Sequence, residues 1–321
     1  MKKKVSLCLM VLLMISLKGC SRLGTQDKAQ ITVITKATDT DFWQAVRNGC
    51  NSAASEYNVD LLFQGPDGEE DFETQNRLIE EAIERESDAI VLSAIDRDHS
   101  IEIIQKAASR GIYIVIIDSG INSDIPEVII STDNYASGKK AGEAMVEGAS
   151  ETLRIGIVNM AGGTANGQER ELGFTDVIEN IEDAEIIGKV SVDSNMESAR
   201  QGTLELLEHY PEINAVIAFN EYTTVGAGTA IEEAGLGNKI KMIGFDNNTI
   251  AIELLKNGTI DGLLVQNQFA IGYLGVENAY NLINGKYIVD RDIYMEATLV
   301  NLDNLFEESI EKLVFPVEKS R

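Results

Sequence analysis

ITVITKATDTDFWQAV, residues 31–46, changes character halfway along. Ile31–Thr35 is a short β-branched apolar run, the composition of a buried strand. Phe42, Val46 and Gly49 then recur at helical spacing and lead to Cys50. Only the polar stretch Lys36–Asp41 separates the two, so a strand runs almost directly into a helix. That is the first half of a βαβ unit. The pattern repeats along the chain. Further apolar runs occupy Val59–Phe63, Ala89–Leu92, Ile112–Ile117, Val128–Ile130, Arg154–Val158, Ala184–Val192, Ala215–Phe219, Ile240–Phe245, Ile260–Val265 and Tyr294–Val300. Amphipathic stretches such as Phe42–Tyr57, Thr74–Glu86, Ser100–Arg110 and Tyr135–Ser150 lie between them. Unbroken apolar strands are those covered on both faces, as in parallel sheets. Roughly eleven strands exceed what one compact sheet of this kind holds. The expectation is therefore an α/β protein of two doubly wound parallel-sheet lobes. No low-complexity linker divides them, so strand crossovers must join them directly.

The N-terminus carries a different message. Lys2, Lys3 and Lys4 precede the apolar run Val5–Leu17, about 13 residues against the ~20 that span a bilayer. A basic start and a short apolar core read as a signal peptide, residues 1–19. The run ends in LKGC, residues 17–20, which resembles the lipobox of bacterial lipoproteins, with Lys18 where a small residue is usual. The resemblance makes Cys20 the lipidation site, and two acyl chains suffice for stable anchoring. Residues 20–30 are then the lipidated cysteine and a polar tether. Cys8 leaves with the signal peptide, so Cys50 has no disulfide partner and reads as an inert core thiol. Four of the 27 basic residues and none of the 52 acidic ones precede Cys20, which leaves 23 basic residues in the exported part. A surface this acidic repels nucleic acid and anionic headgroups.

In open α/β sheets ligands bind where strands end. Lys36 follows ITVIT, Ser93 follows AIVL, Asp118 follows IYIVII, Asn220 follows AVIAF, Asp246 follows KMIGF and Gln266 follows DGLLV. Carboxylates, amides and cations can each engage neighbouring hydroxyls, the groups a polyol presents. Phe42 and Trp43, the single tryptophan, offer aromatic faces for the C–H side of a sugar ring. Signatures of catalysis are missing: no Gly-rich phosphate loop and no nucleophile elbow. His99 and His209 lie far apart at helix edges and read as surface residues. The pairs Glu69-Glu70 and Glu80-Glu81 read as exposed charge.

These landmarks, in this order and spacing, resemble the type I periplasmic binding proteins, in particular the ribose-binding-like branch that serves sugar ABC transporters. They are KATDTDFW (36–43), DAIVLSAID (88–96), IDS (117–119), STDN (131–134), QER (168–170) before GF (173–174), FNE (219–221), GFD (244–246) and QN (266–267). The resemblance implies two lobes joined by three crossovers near Thr132–Asn134, Gln266–Asn267 and Met295–Thr298. One lobe would combine residues 31–132 with 267–295, the other 133–266 with 296–321. It also implies a ligand set of Lys36, Thr40, Phe42, Trp43, Ser93, Asp118, Ser119, Arg170, Asn220, Asp246 and Gln266, with no cofactor, no metal and no reaction. Ser119 stands where ribose-type members have arginine, and Lys36 where they have serine, so the recognised hydroxyl pattern should differ from that of ribose. The expected role is that of a monomeric, membrane-tethered, extracytoplasmic protein that captures a sugar or polyol and hands it to an ABC permease. The alternative is a sugar sensor docking on a membrane histidine kinase or chemoreceptor. Sugar repressors share this fold but need a helix-turn-helix where this chain has its export segment.

Overall fold

The computed structural model describes residues 28–315. The signal peptide, Cys20 and most of the tether read from the sequence lie outside the described residues, as do residues 316–321. Two six-stranded sheets organise the rest. The first contains β1 (Gln30–Ile34), β2 (Asp60–Gln64), β3 (Ala89–Leu92), β4 (Tyr113–Ile117), β5 (Val128–Thr132) and β11 (Asp292–Met295), in the order β11-β5-β4-β3-β1-β2. The second contains β6 (Leu153–Met160), β7 (Ala184–Val192), β8 (Ala215–Ala218), β9 (Lys241–Phe245), β10 (Gly262–Val265) and β12 (Thr298–Val300), in the order β12-β10-β9-β8-β6-β7. Every pairing is parallel except that of β12 with β10.

Burial explains the apolar strands. In β3 and β8 every side chain is buried, and successive residues feed cores on opposite faces: Val91 joins one cluster, Ile90 and Leu92 another. Each such side chain contributes roughly 1.5–3 kcal/mol on leaving water. The covering helices are α1 (Asp41–Tyr57), α2 (Phe72–Glu84), α3 (Ile101–Ser109), α4 (Asn134–Val146), α5 (Ala165–Ile178), α6 (Met196–His209), α7 (Glu221–Glu233), α8 (Thr249–Lys256), α9 (Gln268–Ile283) and α10 (Glu308–Val314). Polar residues just past the strands start many of them. Thr40, Asp71, Asp133, Asn195, Asn220, Asn248 and Asn267 each accept a hydrogen bond from a first-turn amide.

The chain passes between the sheets three times, at Asp133, at Gln266-Asn267 and at Glu296-Ala297. The last passage corrects the single strand read over Tyr294–Val300. Its two halves belong to different sheets, because Glu296 and Ala297 bridge the lobes. The passages are tied side by side: Thr132 Oγ1 donates to Gln266 Oε1 at 2.6 Å, and the Asp133 amide to the Met295 carbonyl at 2.8 Å.

Helix pairs in both lobes come into backbone contact. A Cβ on Gly49 of α1 would sit 2.0 Å from the Phe269 carbonyl oxygen, and one on Gly272 of α9 would sit 2.1 Å from that of Val46. Gly138 of α4 and Gly173 of α5 face the Arg170 and Tyr135 carbonyls at 2.0 and 2.1 Å in the same sense. Alanine cannot fit at these points unless the helices separate. Gly49→Ala and Gly138→Ala are each expected to lower the unfolding free energy by about 1–3 kcal/mol in urea titrations. Gly120→Ala, with nothing within 4 Å of its Cβ, is the control. Losses no larger than the control's would show that this close approach is not needed.

Candidate functional site

The carboxyl ends of the two sheets meet across one gap. It is lined by Lys36, Thr40, Phe42, Trp43, Glu69, Asp118, Asn166, Arg170, Asn220, Glu221, Tyr222, Asp246 and Gln266. None of these residues is more than 9% exposed. In this closed arrangement the side chains nearly fill the gap, leaving about 20 Å³, room for one or two waters.

The wall from the first sheet is charged. Lys36, two residues past β1, lies 3.7 Å from Glu69 and 3.6 Å from Asp118. Burial pulls its ammonium pKa down, but the two carboxylates outweigh that and hold it above the ordinary lysine value. Glu69 also accepts from Trp43 Nε1 at 3.0 Å and from Ser194 Oγ of the opposite lobe at 2.9 Å. Trp43 packs edge-on against Phe42, with ring centroids 4.8 Å apart and planes at 82°. Asp118 directly follows β4 in the left-handed region, φ 57°, a conformation Asp tolerates better than most residues. Its carboxylate accepts from Ser93 Oγ at 2.9 Å and from Asn166 Nδ2 at 3.4 Å.

The wall from the second sheet mirrors it. Asp246 directly follows β9, again left-handed at φ 66°, and accepts from Gln266 Nε2 at 2.7 Å. Burial raises its pKa, against the pull of Arg170. Arg170 is 1% exposed. Its Nε donates to Asn134 Oδ1 at 2.8 Å and its Nη1 to the Phe219 carbonyl at 2.7 Å, and the ion pair with Asp246 is 3.9 Å. The guanidinium lies 4.6 Å over the Phe245 ring, and Nη2 is buried without a partner. Asn220 both starts α7 and donates to Ser194 Oγ at 2.8 Å. Glu221 accepts from the Phe42 amide at 3.1 Å and from Asn248 Nδ2 at 2.8 Å. Burial raises its carboxyl to about 7.

The lobes are closed on each other. Besides Phe42–Glu221, Ser194–Glu69 and Asn166–Asp118, Tyr222 Oη donates to Asp39 at 3.0 Å and Arg97 to Glu169 at 3.1 Å. The Ser194 amide also meets the Glu70 carboxylate. A larger, open hollow of about 260 Å³ lies between α1, α8 and α10. Its charged residues Asp41, Glu253 and Lys256 are exposed, unlike those of the gap.

Nine of the eleven residues singled out from the sequence line the gap. Ser93 and Ser119 do not. Ser93 spends its hydroxyl on Asp118 from behind, and Ser119 is fully buried with its Oγ unpartnered. Glu69, Asn166, Glu221 and Tyr222 were missed. The reading of Glu69 as exposed loop charge is corrected: it is 7% exposed, because the loop after β2 folds its side chain inward against Trp43. Cys50 is buried, donates to the Gly272 carbonyl at 3.4 Å, and burial lifts its thiol to about 12. His99 and His209 are exposed. Among the described residues no three metal-ligating side chains come together, and no helix is long and apolar enough to cross a membrane.

Residues 31–287 match the family described as periplasmic binding protein domain. The D-ribose/D-allose-binding protein of Pseudomonas aeruginosa is 25% identical over 272 residues, covering 82% of this chain and 84% of that protein. A carbohydrate-transporter solute-binding protein from Agrobacterium radiobacter, in complex with D-arabinose, has a TM-score of 0.86 at 27% identity and covers 90% of this chain and 100% of its own. An ABC transporter solute-binding protein from Agrobacterium vitis with bound D-fucose has a TM-score of 0.85 at 29% identity, covering 89% and 99%.

Glu221 makes closure depend on pH. In an open, wet cleft its carboxyl returns to the ordinary value of 4.5, whereas in the closed gap it sits at about 7. Closure therefore takes up a proton between these values. Its advantage is full below 4.5 and is lost as pH rises through about 7. Thr40, the Phe42 amide and Asn248 face the carboxyl as hydrogen-bond partners, and Asp246 faces it as a like charge. Small-angle X-ray scattering of the ligand-free protein should show the radius of gyration rising between about pH 5 and about pH 8. Glu221→Gln should flatten that rise. Identical profiles for the two proteins would assign the proton elsewhere.

Proposed function

The chain belongs to the periplasmic binding protein domain family, and on that premise we propose that it captures a sugar or sugar-like polyol between its lobes for delivery to an ABC importer. One observation carries this reading: buried polar side chains from both sheets converge on one gap between the closed lobes. Such groups cost a few kcal/mol each when desolvated without partners, so closure is favourable only when a guest's hydroxyls replace the lost water. Phe42 and Trp43 supply apolar area for the C–H face of a ring, and the carboxylates, amides and Arg170 take its rim. Lys36, Thr40, Phe42, Trp43, Asp118, Arg170, Asn220, Asp246 and Gln266 act by direct contact, joined by Glu69, Asn166, Glu221 and Tyr222. Ser93 acts through Asp118, which it holds in place. The guest leaves as it entered, with no bond made or broken.

The moving units are residues 31–132 with 267–295 and residues 133–266 with the C-terminal stretch. They hinge about the three side-by-side passages, and the guest biases the equilibrium by touching both. The protein works as a monomer outside the cytoplasm, exported by residues 1–19 and held to the membrane by lipid on Cys20. The acidic surface keeps it off anionic headgroups while the tether holds it near its permease.

Trp43, the single tryptophan, lines the gap and reports on occupancy. A panel of pentoses, hexoses, alditols and inositols should contain a compound that changes its emission and raises the melting temperature. Asp118→Ala and Arg170→Ala should each weaken that compound's binding at least tenfold by calorimetry. Unchanged affinity in both variants would dismiss the site. For the anchor, radiolabelled palmitate should enter the wild-type protein in its host and not Cys20→Ser. Equal labelling, or none in either, would refute lipidation at that cysteine.

A further inference from the structure

The gap holds more negative charge than it neutralises. Four carboxylates line it, Glu69, Asp118, Glu221 and Asp246, against two cations, Lys36 and Arg170. Lys36 is shared between Glu69 and Asp118, and Arg170 belongs to Asp246. Among the described residues Glu221 has no cation within ion-pair distance. Its oxygens accept hydrogen bonds from neutral donors only, the Phe42 amide, Asn248 and Thr40. Asp39 on the Tyr222 hydroxyl and Glu70 on the Ser194 amide add further acid beside the lining and no cation. The nearby cation Arg97 is committed to Glu169.

A site for a wholly neutral guest is expected to balance its own buried charges, because an unpaired charge away from water is costly. Here one negative charge is left over if Glu221 carries a proton, and two if it does not. A carboxylate offers about four lone-pair positions and Glu221 uses three, which leaves room for one donor of a donor-only group. An ammonium is such a group: compact, positively charged and with three donors. A second feature shows that the guest must also bring lone pairs. Arg170 Nη2 lies in the gap wall, fully buried and unpartnered, and only an oxygen can satisfy it. Resting on the reading of the gap as a sugar site, we propose that the guest carries a protonated amine beside its hydroxyls, an amino sugar or amino polyol, with the ammonium at Glu221 and a hydroxyl at Arg170 Nη2. The same arrangement gives Glu221 a role in discrimination, since a neutral sugar would leave its charge buried and unpaired.

Calorimetry with matched pairs at about pH 7, where the amines still carry their protons and Glu221 can ionise on pairing, separates the possibilities. The pairs are D-glucose and D-glucosamine, D-galactose and D-galactosamine, D-mannose and D-mannosamine, and D-sorbitol and 1-amino-1-deoxy-D-sorbitol. In at least one pair the amino member should bind tenfold or more tightly than its parent, and Glu221→Gln should bring that ratio close to one. A parent that binds as well as its amino partner in every pair that binds would overturn the inference and leave the sugar site standing. A preference that survives Glu221→Gln would overturn the assignment of the ammonium to that residue. If no member of any pair binds while a neutral pentose or inositol does, the inference fails and the sugar site stands; if none of these compounds binds, both fail.

Discussion

A guanidinium does not lose its proton in a protein, so burying one forces the surroundings to be built around it. Arg170 imposes that constraint here. Its Nε is matched by Asn134, the first residue after one passage between the lobes, and its Nη1 by the carbonyl at the end of the β8 run. Its charge is met by Asp246 past β9, and its face by the Phe245 ring. One side chain thus ties together a passage between lobes, two strand ends and a helix. Gly138 lets α4 come against the backbone that carries it. With two of its five N–H donors taken by the protein and its face set against Phe245, the direction of the remaining donors is fixed. A guest that accepts from them would meet donors already held in position, which lowers the ordering cost of binding.

The two lobes reach this arrangement by the same route. Their sheets have the same strand order once β1 is set against β6, β4 against β9 and β5 against β10. Parallel strands all end at one edge, so a polar residue placed immediately past a strand falls on that edge regardless of which strand carries it. Asp118 and Asp246 occupy equivalent places past β4 and β9, and both turn back into the gap through left-handed backbone. Because each carboxylate is set by backbone geometry and by neighbours in its own lobe, Ser93 for one and Gln266 for the other, the walls are largely formed before they meet.

This regularity explains what could be read from the chain without coordinates. Lys36, Asp118, Asn220, Asp246 and Gln266 stand at the ends of obvious apolar runs, and the rule that ligands gather there finds them. Thr40 and Arg170 needed the family resemblance, since a helix cap and a mid-helix arginine look ordinary. Ser93 was found by the same rule and yet lies one layer back, because a hydroxyl is short and Asp118 stands in front of it. The four missed residues share a different cause. Glu69 lies five residues past β2, where loop path and not strand direction decides which way a side chain faces. Glu221, Tyr222 and Asn166 lie in first turns of helices, where acids and amides are expected simply to satisfy free amides and the helix dipole. Nothing in their spacing separates that role from one at a ligand. The split of Tyr294–Val300 came only from the resemblance, which put a crossover at Met295–Thr298, since alternation between apolar and polar residues does not mark which sheet a strand joins.

The missed residues change the energetics of the gap more than those found. With only the residues read from the sequence, strand ends and resemblance together, Lys36 and Arg170 balance Asp118 and Asp246, and the cavity is neutral. Adding Glu69 and Glu221 turns it into an acidic cavity that resists closing around water-poor space. Glu69 offsets part of this through its pairing with Lys36 and its donors Trp43 and Ser194. Glu221 is held by neutral donors alone, one of them the Phe42 amide of the other lobe. A carboxylate so placed favours closure by that hydrogen bond and opposes it by its own desolvation. The balance tips with whatever neutralises the charge, whether a proton or a cationic guest. Closure in this protein is therefore governed by charge compensation as much as by hydroxyl replacement, and the residue at which the two compete is Glu221.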